Sequence, residues 1–228
     1  MTPPIRPRNM AHRSALILAT ALGITAGAGG MAQAGPVLFD GAWKEQGFPF
    51  KRANSYRQEG ARLRVSSDRS VSILYRRLDG RERDAMRANW NWSVSDGVPP
   101  TDLARKGGDD RDLALYFVFV PEAEAAGLEK AGLTRLLANG SSRALVYVRG
   151  GAHGRGRILA SPYMGERGKT IVLRDSGTGA AAEAVDLVAD YRRAFGQAPG
   201  KLLGIAVSAD SDDTGTSIRA TIGGLRLQ

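Results

Sequence analysis

The chain has 228 residues, of which 43% are hydrophobic and 24% charged, and a formal net charge of +9, the balance of a globular chain of about one domain. It contains no cysteine and only two histidines, His12 and His153. Disulfide scaffolds, thiolate nucleophiles, cysteine-built zinc sites and His-rich metal centres are thereby excluded.

Residues 1–34 carry Arg6, Arg8 and Arg13 and no acidic residue, and the stretch from Ser14 to Ala34 is uncharged around Leu16, Ile17, Leu18, Leu22 and Ile24. This is the layout of a secretory signal peptide, and Ala32-Gln33-Ala34 sets small residues where signal peptidase accepts them, so cleavage is expected after Ala34. A membrane anchor would need an unbroken apolar span of about 20 residues; Gly23, Gly27, Gly29 and Gly30 interrupt this one. The expectation is an exported protein, periplasmic or secreted, with no transmembrane segment after processing and a single domain over 35–228.

From Ala61 onward apolar and polar residues alternate with a period of two, which marks strands with one buried face. Ala61, Leu63 and Val65 alternate with Arg62, Arg64 and Ser66; Val71, Ile73 and Tyr75 alternate with Ser72, Leu74 and Arg76. Met86, Ala88, Trp90, Trp92 and Val94 against Arg87, Asn89, Asn91 and Ser93 make the clearest amphipathic strand. Leu113 to Val120 is apolar on both faces and reads as a central strand covered on both sides. Pro121 to Ala138 reads as a helix, opened by a first-turn proline and Glu122 and Glu124 and stopped by Asn139-Gly140. Further strands are expected at 144–148, 157–160, 170–173, 203–207, 216–222 and 225–227, with a second helix over Glu183 to Phe195, where Leu187, Tyr191 and Phe195 recur at spacing four. Many strands and two helices predict a mainly β fold, a jelly-roll-like β-sandwich with the helices in connections.

The basic residues are mainly arginines scattered through nearly every segment, without the interleaved aromatics of a nucleic-acid binder, so no nucleic-acid partner is expected. Net positive charge still supplies a long-range attraction to acidic glycans or an anionic surface.

Phe39 and Trp43 near the processed start, Trp90-Asn91-Trp92, Gly108-Asp109-Asp110 leading into Tyr116-Phe117-Val118-Phe119, Asp190-Tyr191 with Phe195-Gly196, and Asp210-Ser211-Asp212-Asp213-Thr214 occur in order along the chain. In this the sequence resembles domain-of-unknown-function family 3047. The resemblance implies an exported β-sandwich similar to carbohydrate-binding modules, and it implies no particular activity.

Trp90 and Trp92 share one strand face with Ala88 and Val94 and read as core rather than as an exposed sugar platform. The opposite face, with Arg87, Asn89 and Asn91, is the polar one and could hydrogen-bond sugar hydroxyls. Two acidic loops, Asp109-Asp110 and Asp210, Asp212, Asp213, crowd carboxylates that repel unless a cation or an arginine compensates. Calcium would suit such oxygens, but position twelve of the second loop is Thr221 rather than a bidentate Glu, so it is no EF-hand. The competing reading, which the residues favour, is a turn in which aspartates bond local backbone and pair with arginines. No cofactor is expected beyond such a structural calcium. There is no G-x-S-x-G elbow, H-E-x-x-H helix or E-x-D-x-E strand. The sequence therefore reads as a protein that binds a glycan or another cell-envelope component rather than transforming it. The alternatives are a glycan hydrolase or lyase using acidic residues of the Asp109 and Asp210 loops, and an envelope protein-interaction module.

Overall fold

Period-two alternation becomes twelve strands in two sheets in the computed structural model, which describes residues 1–2 and 35–228. The signal peptide expected over 1–34 lies, but for its first two residues, outside the described residues. One sheet has seven strands in the order β1 (Lys44–Gly47), β4 (Val71–Arg77), β11 (Lys201–Asp210), β6 (Arg111–Val120), β7 (Arg143–Arg149), β9 (Gly165–Arg174) and β8 (Ile158–Ser161). The other has five, in the order β10 (Gly179–Asp186), β5 (Arg87–Asp96), β12 (Ser217–Leu227), β3 (Arg62–Asp68) and β2 (Ser55–Glu59). β7 and β9 are parallel, and the remaining named pairs are antiparallel. The fold is the mainly β jelly-roll sandwich that the alternation predicts.

The inner faces meet in a core built on β5 and β6. Ala88, Trp90, Trp92 and Val94 point inward from β5, and Leu113, Leu115, Phe117 and Phe119 from β6. Trp90 packs edge-on to Trp92 at 5.5 Å between ring centroids and touches Tyr147 and Phe117 at 5.8 and 6.4 Å. The two indoles are 1% and 2% exposed, which makes them core and removes the sugar-platform reading. Burying one such ring contributes roughly 4–6 kcal/mol before entropy is charged against it. Met86, expected on the same face, precedes the strand and is exposed.

β6 is buried on its second face as well. Ala114, Val118 and Val120 pack with Val146, Leu203 and Ala206 under two short helices, α1 (Glu122–Leu128) and α2 (Leu133–Ala138). These helices replace the single helix expected over 121–138. The break falls at Gly132, whose extended backbone (φ −75°, ψ 169°) caps α2, so the chain turns and both Leu128 and Leu133 reach the sheet.

The second expected helix starts later than Glu183. Residues 179–186 form β10, paired with β5 over eight residues. α3 (Leu187–Phe195) follows, with the Asp186 carboxylate accepting from Ala189 N–H and left-handed Gly196 (φ 71°) closing it. The two strands expected at 216–222 and 225–227 are one strand, β12, interrupted by a register shift between Gly223 and Arg226. There Gly224 takes φ 61°, a conformation that costs glycine nothing. No described helix is long and apolar enough to cross a membrane.

Candidate functional site

The helices cover only part of the outer face of the seven-stranded sheet. What they leave open is a cleft of about 550 Å³. Its floor is Val71 and Ile73 of β4, Asp210 of β11, Arg111 and Tyr116 of β6, Val146 of β7 and Thr170 of β9. Its walls are Phe48 and Lys51 after β1, Leu103 and Asp109 before β6, Leu137 at the end of α2, and Pro162, Tyr163 and Met164 between β8 and β9.

A β-bulge aims the floor's charged groups. Ser208 faces Ala114, but Asp210 faces Arg111, so β6 spends one residue more than β11 over this step. The extra residue reverses which side chains point out. Arg111 therefore stands on the same face as Tyr116, donating from Nη2 to its hydroxyl at 2.9 Å. Asp112 is turned away and accepts from the Val98 and Gly177 N–H groups.

Arg111 Nη1 lies 3.0 Å from Asp109 Oδ2 and 3.3 Å from Asp210 Oδ2. Sharing one nitrogen caps the separation of those two oxygens at about 6 Å, a limit below the inverting range of glycoside hydrolases and above the retaining one. Burial works against the guanidinium's charge, but Tyr116, Asp210 and Asp109 hold its pKa above the ordinary arginine value. Asp109 is fully engaged, since its Oδ1 accepts from the Tyr163 hydroxyl at 2.9 Å.

Asp210 is the unusual group. It is 5% exposed, and its buried Oδ1 meets no donor among the described residues. Burial pushes its pKa well up; Arg111 opposes the shift, and Asp212 and Asp110 reinforce it. Partial burial acts in the same upward direction on Asp212, but the hydrogen bond from Asp210 and the ammonium of Lys51 hold that carboxylate below its usual range. Of the two, Asp210 is the one whose environment favours the protonated form and Asp212 the one whose environment favours the carboxylate.

The two acidic loops, far apart in sequence, meet here. Asp110 accepts from Thr214 N–H at 2.7 Å, Thr214 Oγ1 at 2.6 Å and Asp213 N–H at 3.4 Å. It is a turn anchor of the kind the residues favour. Carboxylate oxygens of Asp110, Asp212 and Asp213 also fall within 4.8 Å of one another. An ion there would compete with the Thr214 bonds on Asp110 and with Lys51, which already supplies positive charge to Asp212. The donor set thus fits calcium poorly.

The residues singled out from sequence separate into two places. Asp109, Asp110, Asp210, Asp212 and Asp213 gather at the cleft end of the seven-stranded sheet. Arg87, Asn89 and Asn91 lie on β5, on the outward face of the five-stranded sheet. Arg111, Tyr116, Lys51 and Tyr163 were not apparent from sequence. The available signal was an arginine directly after an acidic pair at the head of an otherwise apolar strand.

Fold and site together define a jelly-roll β-sandwich with an open cleft on its larger sheet. Residues 41–226 match the family described as "Protein of unknown function (DUF3047)", and the chain belongs to that family. No curated protein matches it. Similar solved structures include the family 11 xylanase from Neocallimastix patriciarum, 12% identical over 88% of this chain and 97% of that one, with a TM-score of 0.42. Another is the xyloglucanase domain of NopAA, a type three effector from Sinorhizobium fredii in complex with cellobiose, 9% identical over 82% and 92%, TM-score 0.42. A third is a meso-active, thermo-stable cellulase derived from one of Rhodothermus marinus, 10% identical over 82% and 97%, TM-score 0.44.

Proposed function

We propose that the protein is an exported, periplasmic or secreted β-sandwich that binds a glycan of the cell envelope in the cleft of its seven-stranded sheet, without transforming it. The observation that carries this reading is the lining of the cleft. Arg111, Tyr116 and Asp210 offer donors and acceptors on the floor, while Phe48 and Tyr163, 41% and 59% exposed, stand at the wall. A sugar needs both surfaces, hydrogen bonds for its hydroxyls and an apolar ring for its C–H face. Export is supported by the basic, then apolar, then small-residue order of residues 1–34. Calorimetric titration with soluble oligosaccharides tests the reading: Tyr163→Ala and Phe48→Ala are each expected to weaken binding about tenfold while leaving the fold intact. No binding across neutral and charged oligosaccharides would refute it.

Hydrolysis is the second reading, favoured by one observation: Asp210 and Asp109 bring carboxyl oxygens within about 6 Å of each other on one Arg111 nitrogen, where burial raises the Asp210 pKa. Against it, Asp109 has both oxygens committed, to Arg111 and Tyr163. Release of new reducing ends from a bound oligosaccharide, abolished by Asp210→Asn, would decide for hydrolysis.

A further inference from the structure

The outward face of the five-stranded sheet gathers the scattered arginines into one patch. Two cross-strand rows show how. Ala180, Ser93, Thr221, Arg64 and Arg57 are successive register partners from β10 to β2, and Ala182, Asn91, Gly223, Arg62 and Glu59 form the next row. Both rows pass from small side chains to arginine, and the second ends on Glu59. The face is consequently hollow, with two depressions of about 450 and 830 Å³ that share Ser93 and Thr221 and so form one trough.

A solvated sheet face needs only to be polar, but this one sets like charges opposite each other at one position. Arg57 and Arg64 are direct cross-strand partners, and like charges placed opposite destabilise a sheet. Glu59 pairs with Arg64 at 3.0 Å and Asp96 with Arg219 at 3.5 Å. Among the described residues Arg57 and Arg62 have no carboxylate within 4.0 Å. Arg62 stands opposite Glu59 in the register, but that carboxylate bonds Arg64, so two guanidinium groups without a salt bridge of their own flank a floor of hydroxyl, amide and small side chains. Guanidinium groups pair with carboxylates in a planar, two-point geometry. The trough lining holds no exposed aromatic ring on which a nucleobase could stack.

We propose that this trough binds an acidic polysaccharide, a chain carrying repeated carboxylates, through Arg57, Arg62 and Arg64, on the sheet opposite the cleft and independently of it. The probe is polygalacturonate, compared with its methyl-esterified form, which keeps the sugar chain and loses the charge. Polygalacturonate is expected to bind, the ester to bind at least about tenfold more weakly, and added salt to weaken the acidic form alone. Arg57→Glu with Arg62→Glu should abolish polygalacturonate binding and leave oligosaccharide binding at the cleft unchanged; Arg57→Gln with Arg62→Gln, a milder pair, should weaken it at least about tenfold in a protein whose circular dichroism is native. The inference is overturned if polygalacturonate does not bind, if ester and acid bind alike, if the folded Gln pair binds as the parent does, or if single-stranded DNA or phosphatidylglycerol vesicles bind more tightly than the polyuronate.

Discussion

Arg111 and Asp210 are register partners on the adjacent strands β6 and β11, and they become so only because the pairing slips by one residue between Ser208 and Asp210. That slip places a guanidinium and a buried carboxyl on the floor of an open cleft, 3.3 Å apart. Desolvating a carboxyl in this way costs free energy for which folding alone gives no reason.

Asp210 should make the cost visible. Its native pKa is raised above the unfolded value of about 3.9. Its contribution is therefore fully favourable below about pH 4 and is lost progressively as pH rises toward the native pKa. Asp210→Asn, which cannot ionise, is expected to stabilise the protein by roughly 1–2 kcal/mol at pH 7 and by almost nothing at pH 4. Urea denaturation of both proteins at the two pH values checks this.

Arg111 has the opposite role. Replacing it by Met leaves Asp109 and Asp210 buried at 3% and 5% exposure without their shared cation, a loss expected at about 3–5 kcal/mol. Adding Asp210→Asn to Arg111→Met should recover more than Asp210→Asn gains in the parent protein, so the two changes will be non-additive in a denaturation cycle.

In the five-stranded sheet, Glu183 is 6% exposed, accepts from Trp92 Nε1 at 3.1 Å and from Arg174 Nε at 2.7 Å. Glu183→Ala strands the indole N–H and should lose about 1–3 kcal/mol. Glu183→Gln keeps an acceptor and gives up mainly a pairing with a partly exposed arginine, so it should lose less than about 1 kcal/mol. Tryptophan fluorescence during unfolding reads both.

Gly204 on β11 lies beneath the ring of Tyr75 on β4. A Cβ added there would stand 2.4 Å from Tyr75 Cε2. Gly204→Ala is expected to lower stability by about 1–3 kcal/mol, with recovery when Tyr75 is shortened to Leu. Equal losses in the single and double variants would show that the clash is relieved by some other movement.

Much of the fold was legible because burial writes a short-range pattern. β5 alternates through Trp90 and Trp92 and is found half-buried, and β6 is apolar on both faces and is found covered on both. The elements that escaped lack that pattern. β1 and β2, Lys44–Gly47 and Ser55–Glu59, are polar edge strands. β10 is an alanine-rich segment of good helix propensity that pairing with β5 makes a strand. The acidic loops could be named from sequence, but their meeting at Asp110 and Thr214 spans 104 residues of chain, and the bulge that aims Arg111 leaves no mark in the residues. The charge pattern was legible only in part: alternation puts Arg62 and Arg64 on one face, but Arg57 joins them only through the β2–β3 register.

The most direct measurement is amide chemical-shift mapping of the protein titrated with neutral oligosaccharides. The cleft reading predicts saturable shifts centred on Phe48, Arg111, Asp210 and Tyr163, reaching saturation only at about tenfold higher sugar concentration in the Tyr163→Ala variant. Saturable shifts confined to residues remote from the seven-stranded sheet's open face, or no shifts with any sugar, would contradict it.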